Sequence, residues 1–237
     1  MTAPVLSVAG LNSHYGRAHI LFDVALEVAR GEVMAILGRN GAGKSTTMKA
    51  IMGLVHASSG TIEFGGTRIE QQPTYKISRL GIGFVPEDRR IFTELTVMEN
   101  LQVGTRAPRA DAPHWTVERI FEIFPNLGEM RRRLGGRMSG GEQQMLAIAR
   151  TLMGNPTLLL LDEPSEGLSP MIIEQMARTI LDLKSEGLTI LISEQNLHFA
   201  SHIADQATII EKGRIRYSGA MRDLRANEDI QREYLTA

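Results

Sequence analysis

The sequence predicts an α/β fold, a parallel sheet covered by helices, into which a wholly helical segment is inserted. Three observations carry this. Short β-rich runs alternate with helical stretches along most of the 237 residues, the pattern of strand–helix–strand units. Two of the runs, Val33–Leu37 and Leu158–Asp162, are apolar without alternation, which marks strands buried on both faces. From about Thr96 to Met153 no strand pattern is present, while Val117–Phe124 and Glu142–Met153 carry a helical period, punctuated by Pro108, Pro113 and Pro125.

In chain order the expected strands are Leu6–Val8, Ala25–Val28, Val33–Leu37, Thr61–Phe64, Gly83–Val85, Leu158–Asp162, Thr189–Ile192, Ala207–Glu211 and Arg214–Tyr217. Asn12-Ser13, Gly65-Gly66 and Lys212-Gly213 read as turns, the last two closing hairpins. The expected organisation is one domain over 1–237. Its core takes in about 1–86 and 156–237, and the helical subdomain about 87–155.

Composition narrows the classes. The hydrophobic share of 43% and charged share of 22% are those of an ordinary globular chain. A formal net charge of −1 gives no electrostatic case for nucleic acid. With no cysteine there are no disulfides and no thiolate metal sites, which suits a reducing cytosol. The N-terminal stretch has neither the basic nor the apolar region of a signal peptide. No apolar run approaches the roughly 20 residues that span a bilayer, so any membrane role is expected to come through a partner.

Gly38-Arg39-Asn40-Gly41-Ala42-Gly43-Lys44-Ser45-Thr46 fits GxxxxGK[ST], between a buried strand and a helix expected over Lys44–Ile51. Gly38, Gly41 and Gly43 let backbone wrap around a polyphosphate, and the helix start points N–H groups and a positive dipole end at it. Lys44 is expected to reach the β- and γ-phosphates, with Asn40 and Thr46 in the same cradle, and Ser45 to ligate Mg²⁺. Leu158–Leu161 runs into Asp162 and Glu163, and ligands in such sheets bind beyond the carboxyl ends of strands. Asp162 is placed to hold the Mg²⁺ shell, and Glu163 to polarise the attacking water as general base.

Ser139-Gly140-Gly141-Glu142-Gln143-Gln144 precedes an apolar helix and is a second glycine-flanked anion site with a capping hydroxyl. One γ-phosphate does not need two such sites, so the economical reading is that this one serves a nucleotide held by another subunit. These three motifs, in this order, resemble the ABC (ATP-binding cassette) family over essentially the whole chain. The resemblance implies a P-loop NTPase fold with a RecA-like core, an N-terminal antiparallel β region and the inserted helical subdomain. It also implies a head-to-tail pair of cassettes with two ATP between them, Ser139, Gly140 and Gly141 capping the partner's γ-phosphate. Tyr15 falls at the family's adenine-stacking position. Glu87, in Val85-Pro86-Glu87, stands where most cassettes carry glutamine, at the joint that senses Mg²⁺-ATP and contacts the membrane subunit. Ser169 stands where the dimer-contacting loop usually ends in aspartate. Gln195, in Ser193-Glu194-Gln195-Asn196, replaces the usual switch histidine, and it cannot become a cation near neutral pH.

The combination of Val85-Pro86-Glu87, Met138–Arg150, Leu158–Pro170 and Ser193–Asn196 is similar to one branch, the LivF-type ATP-binding subunits of bacterial importers for branched-chain amino acids and related solutes, in which the residues at Glu87 and Gln195 are the usual ones. That branch implies a second cassette of related sequence (a homodimer remains open), two membrane permeases and, indirectly, a periplasmic binding protein, with no nucleic acid. The chain would sit at the cytoplasmic face of the inner membrane. Urea or amide importers, exporters and non-transport ABC ATPases are the alternatives, while a GTPase or small-molecule kinase would lack the second anion loop. His198 and His202, four apart, lack a third ligand for a metal site. Arg131–Arg133 read as a solvated face and Trp115 as packing. For Arg89 and Arg90, beside the joint, a permease contact and plain solvent exposure stand equal.

Overall fold

The computed structural model describes residues 3–110 and 112–235. The chain opens with an antiparallel hairpin, β1 (Leu6–Tyr15) and β2 (Ala18–Val28), followed by β3 (Val33–Leu37) and helix α1 (Lys44–Ile51). Strands β4 (Ala57–Phe64) and β5 (Thr67–Arg68), helix α2 (Thr74–Leu80) and β6 (Ile82–Val85) complete the first half of the sheets. Among the described residues a helical stretch without a strand then follows: α3 (Val97–Gly104), α4 (Val117–Ile123), α5 (Pro125–Glu129), a 3-10 turn (Gly135–Arg137) and α6 (Gly140–Leu152). The chain returns through β7 (Leu158–Asp162), α7 (Pro170–Ser185), β8 (Thr189–Glu194), α8 (Leu197–Ile203), β9 (Gln206–Glu211) and β10 (Arg214–Ala220). It ends in α9 (Met221–Ala226) and α10 (Glu228–Tyr234).

Two sheets result. One has the order β2-β1-β4-β5 and is antiparallel; the other has the order β10-β9-β3-β8-β7-β6 and is parallel except for its β9–β10 hairpin. The central strands behave as their unbroken apolar runs require. Val33, Ala35 and Leu37 of β3 pack into a cluster with the inserted helices, α7 and α8, while Met34 and Ile36 pack with α1 and the antiparallel sheet. Leu159 and Leu161 of β7 divide from Leu158 and Leu160 in the same way. A strand covered on both faces cannot alternate in polarity, which is why its period-2 signal is missing from the sequence.

The structure corrects the N-terminal region. Asn12-Ser13 is not a turn; both residues lie inside β1, at register shifts in its pairing with β2 and β4. The Asn12 side chain occupies backbone groups that the irregular ladder frees: Nδ2 donates to the Gly10 carbonyl at 3.0 Å, and Oδ1 accepts from Asp23 N at 3.2 Å. The chain reverses instead after Tyr15, where Gly16 has a φ of 59°. Asparagine hydrogen-bonds locally in turns and bulges alike, so its presence does not separate the two. β2 starts at Ala18 rather than Ala25, because a left-handed Asp23 (φ 56°) interrupts its alternation. β5, two residues long, was below what a sequence pattern resolves, but it closes the expected Gly65-Gly66 hairpin against β4.

Candidate functional site

The site forms where β3, β8 and β7 end side by side. β8 lies between the other two strands, pairing Leu37 with Glu194 and Asp162 with Ser193. The loop after β3 therefore meets the acidic end of β7 across one intervening strand, and Gly38 N donates to the Glu194 carbonyl at 3.3 Å.

The loop from Gly38 to Gly43 is a cradle that side chains would fill. A Cβ on Gly38 would lie 2.4 Å from the Ile210 carbonyl oxygen, and Gly43 has a φ of 116° at the start of α1. Gly38→Ala is expected to cost about 1–3 kcal/mol from overpacking, read as a lowered Tm, together with weaker nucleotide binding; an unchanged melt would contradict the contact. Arg39, Asn40 and Gly41 form the exposed crest of the loop, and Thr46 is buried in α1. Lys44 is buried too, and its Nζ donates to the carbonyls of Gly38 at 2.8 Å and Arg39 at 3.2 Å. Its ammonium lies 3.1 Å from Glu163 Oε1.

Ser45 Oγ donates to Asp162 Oδ1 at 2.9 Å, so the hydroxyl and the carboxylate expected at one Mg²⁺ meet directly. Ser193 was missed as a site residue. Its Oγ donates to the same Asp162 oxygen at 2.6 Å and accepts from Glu163 N at 3.1 Å, tying both acidic residues to β8. Glu194 was missed as well. It is buried, accepts from Ser165 N at 3.0 Å and Asn196 N at 3.2 Å, and so anchors the loops on either side. Burial pushes its carboxyl above the ordinary range, against those hydrogen bonds. The available signal for both was polar residues closing the otherwise apolar run Thr189–Ile192.

Glu163 has a φ of 47°, a conformation that costs a non-glycine residue free energy and recurs at functional sites. Glu166 returns towards it through a turn, Glu166 N donating to the Glu163 carbonyl at 3.1 Å. The hydrogen bond with the Glu163 side chain, helped by burial and by the charges of Glu163, Glu87 and Glu194, raises Glu166 to about 7.

Other expected residues stand apart from this cluster. Tyr15 is half-exposed near the tip of the β1–β2 hairpin, whose Leu21 would lie 3.0 Å from a Cβ on Gly43. Glu87 and Gln195 are exposed at the ends of β6 and β8, and among the described residues neither is bonded to Ser45 or Asp162. Ser139 caps α6: its hydroxyl accepts from Glu142 N at 3.3 Å, while Ser139 N donates to Glu142 Oε2 at 2.7 Å. Ser139 and Gly140 face solvent, and a Cβ on Gly140 would meet the Arg89 guanidinium at 2.9 Å. The Ser139–Gly141 loop and the Gly38–Gly43 loop stand at the starts of different helices, α6 and α1.

Residues 21–166 match the ABC transporter family. The chain is 42% identical over 98% of its length, and 99% of the relative's, to the high-affinity branched-chain amino acid transport ATP-binding protein BraG of Pseudomonas aeruginosa. It is 35% identical over 96% of its length, and 97% of the relative's, to the probable branched-chain amino acid transport ATP-binding protein LivF of Archaeoglobus fulgidus. The lipopolysaccharide export system ATP-binding protein LptB of Haemophilus influenzae is 34% identical over 98% of this chain and 97% of its own. Among solved structures, an ATP-binding cassette of an ABC transporter in its ADP conformation superimposes with a TM-score of 0.81, at 28% identity over 94% of each chain.

Proposed function

The chain belongs to the ABC transporter family, as an ATP-binding subunit that hydrolyses ATP, and from that premise we propose that it powers bacterial import of branched-chain amino acids or related small solutes. The observation that carries the solute class is the 42% identity to BraG across essentially both whole chains. The match to LptB, at 34%, keeps an export system as the second reading.

ATP lies along Gly38–Thr46 with its base against Tyr15, and Lys44 leaves its loop carbonyls and Glu163 for the phosphates. Ser45 and Asp162 offer hard oxygen donors, a set that fits Mg²⁺, which when bound neutralises charge developing on the γ-phosphoryl. Glu163 accepts the proton of the attacking water, and Ser193 holds Glu163 and Asp162 in register. Ser139, Gly140 and Gly141 cap the nucleotide of a second cassette, a related chain or another copy. Glu87 and Gln195 respond to the γ-phosphate from the strand ends. The segment 87–155 moves as a unit against the core and transmits closure to two permeases. The chain works from the cytoplasmic face of the inner membrane, bound to those permeases; among the described residues no helix is long and apolar enough to cross a membrane.

A pH dependence follows from the Glu163–Glu166 pair. Glu166 is raised, so its proton persists up to about pH 7, donated to the base. Above that Glu166 has lost the proton it donates, and Glu163 is free to accept. Turnover is expected to rise through about pH 7 and, in Glu166→Gln, whose amide donates at every pH, to lose that step. Identical kcat–pH profiles would refute the coupling.

The proposal is tested by purifying the tagged Glu163→Gln chain with ATP from membranes of its host. Two polytopic permeases and a second cassette, with branched-chain amino acids stimulating the reconstituted ATPase, are the expected result. Recovery without permeases would overturn transport, and a lipid-export partner set would favour the second reading.

A further inference from the structure

Backbone pairing holds only part of the hairpin that carries Tyr15. The register of β1 against β2 slips between Val8 and Leu11, between Leu11 and Ser13 and again between Ser13 and His14, so the ladder does not fix how the tip stands. Side chains take over there. His14 and His19, opposite each other across the two strands, stack their rings at 4.0 Å between centroids with 15° between planes. The His19 ring meets that of Phe22 at 3.8 Å, and the Arg214 guanidinium lies 4.7 Å from the Phe22 centroid. Each imidazole is also tethered: His14 Nδ1 lies 3.1 Å from Ser58 Oγ of β4, and His19 Nε2 lies 3.1 Å from Asn12 Oδ1. Cross-strand ring pairs, and a cation over a ring face, each favour a particular geometry. Ring contacts therefore run from the neighbour of Tyr15 to the turn between β9 and β10.

That turn is tied to both parts of the nucleotide site. Gly213 N donates to the Ala42 carbonyl, in the phosphate cradle, at 2.7 Å, and the Gly213 carbonyl accepts from Phe22 N at 2.8 Å. Lys212 and Gly213 are both left-handed, with φ of 47° and 74°. A Cβ on Gly213 would overlap the Ile20 carbonyl oxygen and stand 3.0 Å from the Phe22 ring, so this close approach of hairpin and turn requires glycine. One residue thus bridges hairpin and cradle, and the rings continue the bridge to the position next to Tyr15, which stands half-exposed beyond it.

We propose that Gly213, Phe22, His19 and His14 are positioning residues that fix the distance between Tyr15 and the phosphate cradle, so that one nucleotide meets both without reordering the hairpin. This rests on the reading of Tyr15 as the residue on which the base stacks, and it adds what holds that residue in place. A ligand bound at two points gains from the second contact only what ordering that contact does not cost. With the strut intact the base meets a preset ring. With the strut broken the hairpin is ordered only on binding, while the phosphates still find their cradle. Affinities for base and for phosphate therefore separate in variants of the strut, whereas general damage to the fold lowers both.

The test compares ADP with inorganic pyrophosphate, each with Mg²⁺, by titration calorimetry on the full chain; neither carries a γ-phosphoryl group to transfer. His19→Gln, which keeps a polar partner for Asn12 but no ring, and Phe22→Leu, which keeps an apolar side chain but no ring, are each expected to weaken ADP about three- to ten-fold, the worth of one ring contact, with pyrophosphate within about two-fold of wild type. His19→Phe, which keeps the ring and gives up the Asn12 hydrogen bond, is expected to retain wild-type ADP affinity. Gly213→Ala breaks the turn itself, so the ring variants carry the test. Equal losses for ADP and pyrophosphate in those variants, or unchanged ADP affinity, would overturn the proposal, as would a loss in His19→Phe as large as in His19→Gln. Tyr15→Ala separates the two claims. Selective loss of ADP in Tyr15→Ala but not in the ring variants would remove the strut and keep Tyr15 as the platform of the base. No selective loss in Tyr15→Ala would remove both.

Discussion

Glu163→Gln is expected to keep ATP affinity within about two-fold and to lower kcat by about 10²–10⁴-fold, the range of a general base. The substitution is close to isosteric, and the backbone N–H that Ser193 Oγ receives is untouched, so the strand end should hold its shape. What disappears is the acceptor: an amide cannot take a proton from water. The Lys44 ammonium also loses a charge partner 3.1 Å away, which favours its turning to the phosphates. Parallel measurement of ATP Kd and kcat checks this; turnover within ten-fold of wild type would remove Glu163 from the role of base.

Lys44→Ala is expected to weaken ATP binding by about 10- to 100-fold, corresponding to loss of one or two charge-assisted hydrogen bonds of about 1.5–3 kcal/mol. The side chain is only 3% exposed as a residue and is already directed by the Gly38 and Arg39 carbonyls. Its ammonium is therefore preorganised, and little rotamer entropy remains to be lost on binding. The variant also leaves Glu163 without its cation, so kcat should fall beyond the affinity loss. Titration calorimetry with ATP decides the matter, and an unchanged Kd would refute the phosphate role.

The two predictions draw on different amounts of sequence. Lys44 follows from its motif, because GxxxxGK[ST] after a buried strand prescribes local geometry: glycines that admit positive φ, then a helix start. Such local rules also carried helix α1, the hairpins at Gly65-Gly66 and Lys212-Gly213, and the cap at Ser139, all of which depend on neighbours within a few residues. The N-terminal hairpin was harder. Asn12 satisfies a bulge with the same side-chain bonds it would use in a turn, and only the partner strands distinguish them.

By itself, then, the sequence determined the α/β class, the glycine-rich loop before α1, the acidic strand end and the capped helix start at Ser139, since each is written in contiguous residues whose backbone preferences act over one or two turns of chain. Tertiary structure decided what those pieces become together. It inserted β8 between β3 and β7, so that Ser193 bridges to Asp162 and Glu163 across 30 residues or more, and it buried Glu194 as the anchor of two loops. It also gathered arginines from α2, α6 and the segments between them along one groove. Strand order and burial arise from packing distant segments against one another, and no local preference of serine, glutamate or arginine encodes which distant segment that will be.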